Sequence, residues 1–229
     1  MKLTKRNKQH QQVLAEKDIF SLEDGIETLK NSKKSNFDES VEVVIKLGID
    51  PRKTDQAVRG SCSLPNGTGK QIRVLVFAKG DKLNEANEAG ADYAGGAELA
   101  EKIKTGWLDF ERVVATPDMM IEVGKIGKIL GPRNLMPNPK TGTVTFEVGK
   151  IVSEIKKGQI QFKNDKGGNI HVLVGKLSFN TSNIKENIMS VIDSVNKLKP
   201  TTAKGIYLQD MNLSSTMGPG LKINLSGLT

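Results

Sequence analysis

The segment Ser214-Ser215-Thr216-Met217-Gly218-Pro219-Gly220 gathers three hydroxyls, a thioether and two glycines into one short stretch. Small residues let a backbone approach a sugar–phosphate surface closely, and hydroxyls with free N–H groups can bond ribose and phosphate oxygens. Met217 would add a soft apolar contact to a base or sugar face. Composition alone favours an ordinary hairpin turn. Phe37, flanked by Ser35, Asn36, Asp38 and Glu39 just before a strand, reads by itself as an aromatic at the edge of a core.

Other chemistry is thinly supplied. The histidines are His10 and His171, far apart in the chain, and Cys62 stands alone, so neither a zinc site nor an activated thiol is expected. Gly67-Thr68-Gly69-Lys70 invites comparison with a phosphate-binding loop. That loop needs a glycine where Leu64 stands and Ser or Thr where Gln71 stands, so the stretch reads as a linker. No G-x-G-x-x-G follows a strand, which removes the dinucleotide signature. Most carboxylates sit beside Lys or Arg and read as a solvated face. No enzyme activity, catalytic residue, cofactor or metal is expected.

The chain has 229 residues and a formal net charge of +8, from 34 Lys+Arg against 26 Asp+Glu, and a sequence pI of about 9.4. The hydrophobic fraction of 37% supports a packed core. The longest apolar runs, such as Val74–Ala78, are strand-sized and far short of a membrane span. The single cysteine and a Lys-rich start without an apolar signal core point to a reducing cytosol. The basic balance suggests a polyanionic partner. Aromatics make up only 4%, too few to stack many unpaired bases, so an RNA partner would be read through folded shape and phosphates.

Several elements must position these residues. Ser21–Lys30 is a helix capped by Ser21, with Asp24 three residues on and Leu22, Ile26 and Leu29 on one face. Val41–Leu47 alternates as a strand buried on one face. Ser61–Gln71 is rich in breakers and reads as a turn or linker. Ile72–Ala78 reads as a strand covered on both faces. Helical segments follow near Leu83–Ala89 and Ala97–Lys104, separated by a short segment at Ala91–Tyr93. A strand at Arg112–Ala115 and a helix opened by Pro117 come next. The loop Gly124–Gly142 cannot be regular throughout, and Thr143–Val148 reads as a last strand. Ile160–Lys163 and Ile170–Val174 look like hairpin strands. The helix Ile184–Leu198 carries an apolar stripe, with Asn183 and Glu186 as a capping pair and Pro200 barring its continuation. Ile206–Leu213 and Leu221–Leu225 pair around the hydroxyl-rich tip.

The expected fold is a split, discontinuous α+β domain with an antiparallel sheet and two main helices, residues 1–67 and 159–229. It is interrupted by an inserted three-layer α/β/α domain at 68–158, and the two crossings would make a hinge. The insert carries 14 Lys+Arg and 12 Asp+Glu, against 20 and 14 in the remainder, so the split domain is the better candidate for the anion. Strand parity gives its sheet a polar outer face with Lys46, Gln161, Lys163 and His171.

A family resemblance runs through the same residues. Phe37-Asp38-Glu39-Ser40, Leu47-Gly48-Ile49-Asp50-Pro51-Arg52-Lys53 and Val58-Arg59-Gly60 begin it. Leu64–Lys70 and the block Gly131-Pro132-Arg133-Asn134-Leu135-Met136-Pro137-Asn138-Pro139-Lys140-Thr141-Gly142 continue it, and Ser214–Gly220 closes it. The chain resembles the bacterial type of the large-subunit ribosomal protein L-one family, which forms the mobile stalk beside the tRNA exit site. Asn134 departs from an expected glycine and Asn66 from an expected histidine. The resemblance implies a cytoplasmic ribosomal component whose split domain binds structured large-subunit rRNA and whose stalk helps steer deacylated tRNA from the exit site. It also implies repression of translation through the chain's own mRNA leader, and a protein that is monomeric off the ribosome. Carried over by position, Phe37, Thr216, Met217 and Gly218 match RNA-contacting residues. Lys34, Ser40, Lys163, Lys166, His171 and Ser215 are neighbours included with them. The inserted domain is expected to face the exit-site tRNA.

Overall fold

The structure is a computed structural model that describes residues 4–32 and 35–226. In chain order it begins with helices α1 (Lys5–Glu16) and α2 (Leu22–Asn31), then strands β1 (Ser40–Leu47), β2 (Arg59–Ser63) and β3 (Val74–Phe77). Helix α3 (Asp81–Glu88), strand β4 (Tyr93–Gly95), helix α4 (Ala97–Lys104) and strand β5 (Arg112–Ala115) follow. Short helices α5 (Met120–Lys125) and α6 (Gly127–Leu130) lead to α7 (Val148–Lys157). Strands β6 (Gln159–Lys163) and β7 (Asn169–Lys176), helix α8 (Thr181–Lys197), and strands β8 (Leu208–Ser215) and β9 (Gly220–Ile223) complete the chain. Two compact units result. One joins the chain up to Gly69 with the chain from Ile160, and the other is Lys70–Gln159.

The first unit is built on an antiparallel sheet ordered β7-β1-β8-β9. Strand β1 alternates as its sequence demands, with Val41, Val43, Ile45 and Leu47 buried and Glu42 and Lys46 exposed. Helix α2 begins where Ser21 accepts the backbone N–H of Asp24, which satisfies an orphan donor of the first turn. It lays Leu22, Ile26 and Leu29 against the sheet. Helix α8 adds Ile184, Ile188, Val191, Ile192 and Val195, all fully buried, each contributing roughly 1.5–3 kcal/mol.

Here the structure corrects three expectations. Residues 61–63 belong to a strand, β2, and its partner is β6. Consequently β6 and β7 are not a hairpin: they lie in different sheets, joined by a lone bridge between Asn164 and Ile170. The buried Asn164 explains the parting, because its side chain accepts the N–H of Val58 and its own N–H donates to the Val58 carbonyl. Helix α8 also starts earlier, after Asn180, so Asn183 and Glu186 do not cap it. Both instead accept the side-chain amide of Asn66.

The second unit has a parallel sheet ordered β4-β3-β5, and every residue of β3 is buried. Leu75 and Phe77 pack with residues of α4, α5 and α6, while Val74 and Val76 pack with Ala86 of α3 and Val148, Val152 and Ile155 of α7. The expected strand Thr143–Val148 reduces to one bridge, Ala115 to Val144, and Val148 opens a helix instead. The spacing of Val148, Val152 and Ile155 is helical, and Gly158 ends α7 in the left-handed conformation at φ 110°.

Asn134, where a glycine was expected, has φ 57°, the one positive value at a non-glycine among the described residues. Asparagine tolerates this region better than other side chains. Asn134→Ala is therefore expected to cost about 1 kcal/mol, whereas Asn134→Gly keeps or raises the melting temperature. Thermal unfolding of the two variants side by side checks it.

Candidate nucleic-acid interface

Glu39 lies one strand step before Val41 and shares the inward parity of β1. Its side chain is only 2% exposed. A buried carboxylate is costly unless hydrogen bonds replace its water, and here they do. Ser215 donates its hydroxyl to Oε2 at 2.6 Å, and the Met217 backbone N–H reaches the same oxygen at 3.1 Å. The N–H of Ser35 donates to Oε1 at 3.0 Å. Burial by itself pushes this carboxyl up, but the bonds from Ser215, Met217 and Ser35 more than reverse the effect and hold it down at about 2.

Two bonds between Thr216 and the Ser40 backbone complete the clamp. The N–H of Thr216 donates to the Ser40 carbonyl at 3.0 Å, and the Thr216 hydroxyl accepts the N–H of Ser40 at 3.0 Å. Gly218 is required by space. A Cβ there would stand 2.3 Å from Ser215 Oγ, the atom that serves Glu39. The result is a rigid turn between β8 and β9 that leaves two large apolar side chains in solvent, Phe37 at 54% and Met217 at 47% exposure. Phe37 is thus not a core-edge aromatic. The hairpin-turn reading of Ser214–Gly220 is correct as far as it goes, but the turn is held from outside itself.

Of the candidate residues, Ser40, Ser215, Thr216, Met217 and Gly218 meet at this corner, and Phe37 stands exposed in the loop whose ends, Ser35 and Glu39, are bonded to each other. His171, Lys163 and Lys166 do not. His171 stands opposite Val44, four residues along β1 from Ser40, and the strand pair runs on from there to Lys46 and Asn169. Its imidazole lies 3.4 Å from Asp165 in the turn that also carries Lys166. Lys163 is exposed on β6, in the other sheet. Lys34 lies outside the described residues. Two participants escape a reading by motif. Glu39 is one, although an acidic residue at an inward position of an alternating strand is a visible signal. Lys176 is the other, which donates to Ser40 Oγ at 3.0 Å and to the Asp38 carbonyl at 3.3 Å. It reaches Ser40 only through the β1–β7 register.

Among the described residues, no group of three or more His, Cys, Asp or Glu could hold a metal ion. No helix there is long and apolar enough to cross a membrane.

A model of the ribosomal protein L1p/L10e family matches residues 29–219, a span that contains every residue of the Glu39 clamp. The chain belongs to this family. Large ribosomal subunit protein uL1 of Chlamydia pneumoniae is 56% identical over 225 residues, covering 97% of each chain. The protein of the same name from Protochlamydia amoebophila (strain UWE25) is 56% identical over 206 residues, covering 90% of this chain and 87% of its own. Membership in the L1p/L10e family makes the chain a ribosomal protein and not an enzyme. In this L1-family chain the match excludes α1, which lies wholly before residue 29.

Replacing Glu39 by Gln removes the charge while keeping the shape. The expected cost is about 2 kcal/mol, in the range for hydrogen bonds to a charged group. Because the folded carboxyl sits below its ordinary value of 4.5, its contribution is full above pH 4.5 and is lost as pH falls to about 2. Urea unfolding across this window should show the gap between wild type and Glu39→Gln closing as acid is added.

Proposed function

We propose that the chain is an rRNA-binding component of the large ribosomal subunit, placed in the cytoplasmic ribosome, that docks a folded RNA on the corner built around Glu39. The observation that carries this reading is the combination of a locked backbone turn with Phe37 and Met217 left in solvent beside it. A soluble fold ordinarily buries large apolar groups, and presenting two of them on a rigid support suits a preformed partner better than a flexible strand. The backbone around Met217 can come close to ribose because its neighbours Ser215, Thr216 and Gly218 are small. Specificity then comes from RNA shape and 2′-hydroxyls, and phosphate contacts add a salt-dependent share.

The relatives named above are called large ribosomal subunit proteins, which supports the assignment. On the same reading, the protein is a split α+β domain at 1–67 and 159–229, with a three-layer α/β/α insert at 68–158 that faces the exit-site tRNA. It forms the mobile stalk that assists release of deacylated tRNA, and it represses its own operon by binding the mRNA leader with the same corner. Phe37, Ser40, Ser215, Thr216, Met217 and Gly218 form the contact surface. Lys163, Lys166 and His171 belong to a wider basic surround, and Lys34 joins them on the family resemblance alone.

The Thr216 hydroxyl already accepts the Ser40 N–H, so Thr216→Val removes one acceptor from the turn and one polar group from the interface. RNA affinity is expected to fall by about 1–3 kcal/mol, since buried polar RNA groups are left unpaired, while the exposed Ser40 N–H turns to water. Filter binding to transcribed large-subunit rRNA checks it, and equal affinity for both proteins would remove Thr216 from the surface. In extracts, the chain should sediment with the large subunit. Recovery only in slow-sedimenting fractions would leave the repressor reading without a ribosomal one.

A further inference from the structure

We infer that α1 is a second RNA-gripping element of the same interface, joined to the Glu39 corner through Arg6. The inference rests on the RNA-binding reading above and extends it to a helix outside the matched family region.

Ser35 is the joint. Its N–H serves Glu39 Oε1 at 3.0 Å, and its hydroxyl oxygen accepts Arg6 Nη2 at 3.3 Å. Glu39 in turn holds the N–H of Met217. One continuous chain of hydrogen bonds therefore runs from α1 through Ser35 and Glu39 to the tip. A guanidinium carries five N–H donors in a planar fork suited to phosphate, and one hydroxyl engages one of them. An RNA seated on Phe37 and Met217 brings its backbone past this fork.

The composition of α1 agrees. Its first turn contains Lys5, Arg6 and Lys8 and no acidic residue, and Lys8 is exposed. Cations at a helix N-terminus oppose the helix dipole, which favours anions there. By contrast α2 has Glu23 and Asp24 in its first turn and Lys30 in its last. A largely polar helix of 12 residues also has little to stabilise it alone in water. Phosphate oxygens near the first turn answer both difficulties, because they neutralise the cations and suit the exposed N–H groups. The occupant is thus the same RNA, continuous with the corner.

The test uses the full chain and transcribed large-subunit rRNA in filter-binding titrations over a salt series. Arg6→Gln with Lys8→Gln is expected to weaken binding about tenfold at moderate salt. The log–log salt slope should shrink by about 0.7–0.9 for each phosphate left without its cation, so by roughly 1.5 for two. Thr216→Val is expected to lower affinity with the slope unchanged, which separates the two parts of the surface. A double variant that matches wild type in slope and affinity overturns the role of α1. If the double variant unfolds early, Lys8→Gln alone decides: a slope smaller by one phosphate supports the inference, and an unchanged slope overturns it. Failure of the unaltered chain to bind rRNA overturns the RNA-binding reading itself, and this inference with it.

Discussion

A carboxylate removed from water must be given donors or it will not stay ionised, and Glu39 has taken its three donors from two stretches of chain far apart in sequence. Ser35 comes from the loop before β1, Ser215 from the end of β8, and Met217 from the turn beyond it. Each donor is therefore fixed relative to the others by one buried charge. The corner's geometry depends on that constraint more than on any side chain it presents. Phe37 and Met217 can remain in solvent because neither is needed to hold the turn.

The constraint works only because the sheet brings those stretches together. β1 is central, with β7 on one side and β8 on the other. That register sets Val41 opposite Ser215 and Ser40 opposite Lys176. The helices on the sheet are held by apolar burial and by a few buried polar ties. Asn187 is the clearest of these. It is fully buried, accepts the N–H of Asn66, and donates to the carbonyls of Gly67 and Val174. Through it, the end of the linker, α8 and β7 form one rigid support. The departure at Asn66 belongs to the same tie, since its side-chain amide reaches Glu186 of α8.

The corner is therefore a shape held by polar bonds. The two features that could be mistaken for chemistry, Cys62 and the histidines, have ordinary roles or none that the structure shows. Cys62 is buried, and its thiol faces the Ser190 carbonyl at 3.4 Å. His171 sits on β7 beside the turn ordered by Asp165, whose carboxylate is drawn down to about 2 chiefly by the backbone and side-chain N–H groups of Asn169, with the N–H of Gly167 adding to them.

Local pattern is enough to read α2, β1, α4, β5 and the stripe of α8, because burial there repeats at the period of one element and needs no knowledge of its neighbours. The glycine-rich block and the hydroxyl-rich tip are legible for a related reason, since each is a run of contiguous residues. Other features escape because their partners are distant in sequence. β2 looks like a linker, as only β6, about a hundred residues later, makes it a strand. β6 and β7 look like a hairpin until a buried asparagine is seen to bond across to Val58. α7 is a different case, since its spacing and its closing glycine stand in the sequence and a strand reading overlooks them. By itself, then, the sequence determined element types where one face is buried, the basic balance, the family and the residues of the tip. Only the tertiary structure decided which strands pair, that Phe37 stands in solvent, and that Glu39, Ser35 and Arg6 form one chain of bonds. Hydrogen-bond partners and strand register depend on where the backbone carries each group through space, and no local period encodes that.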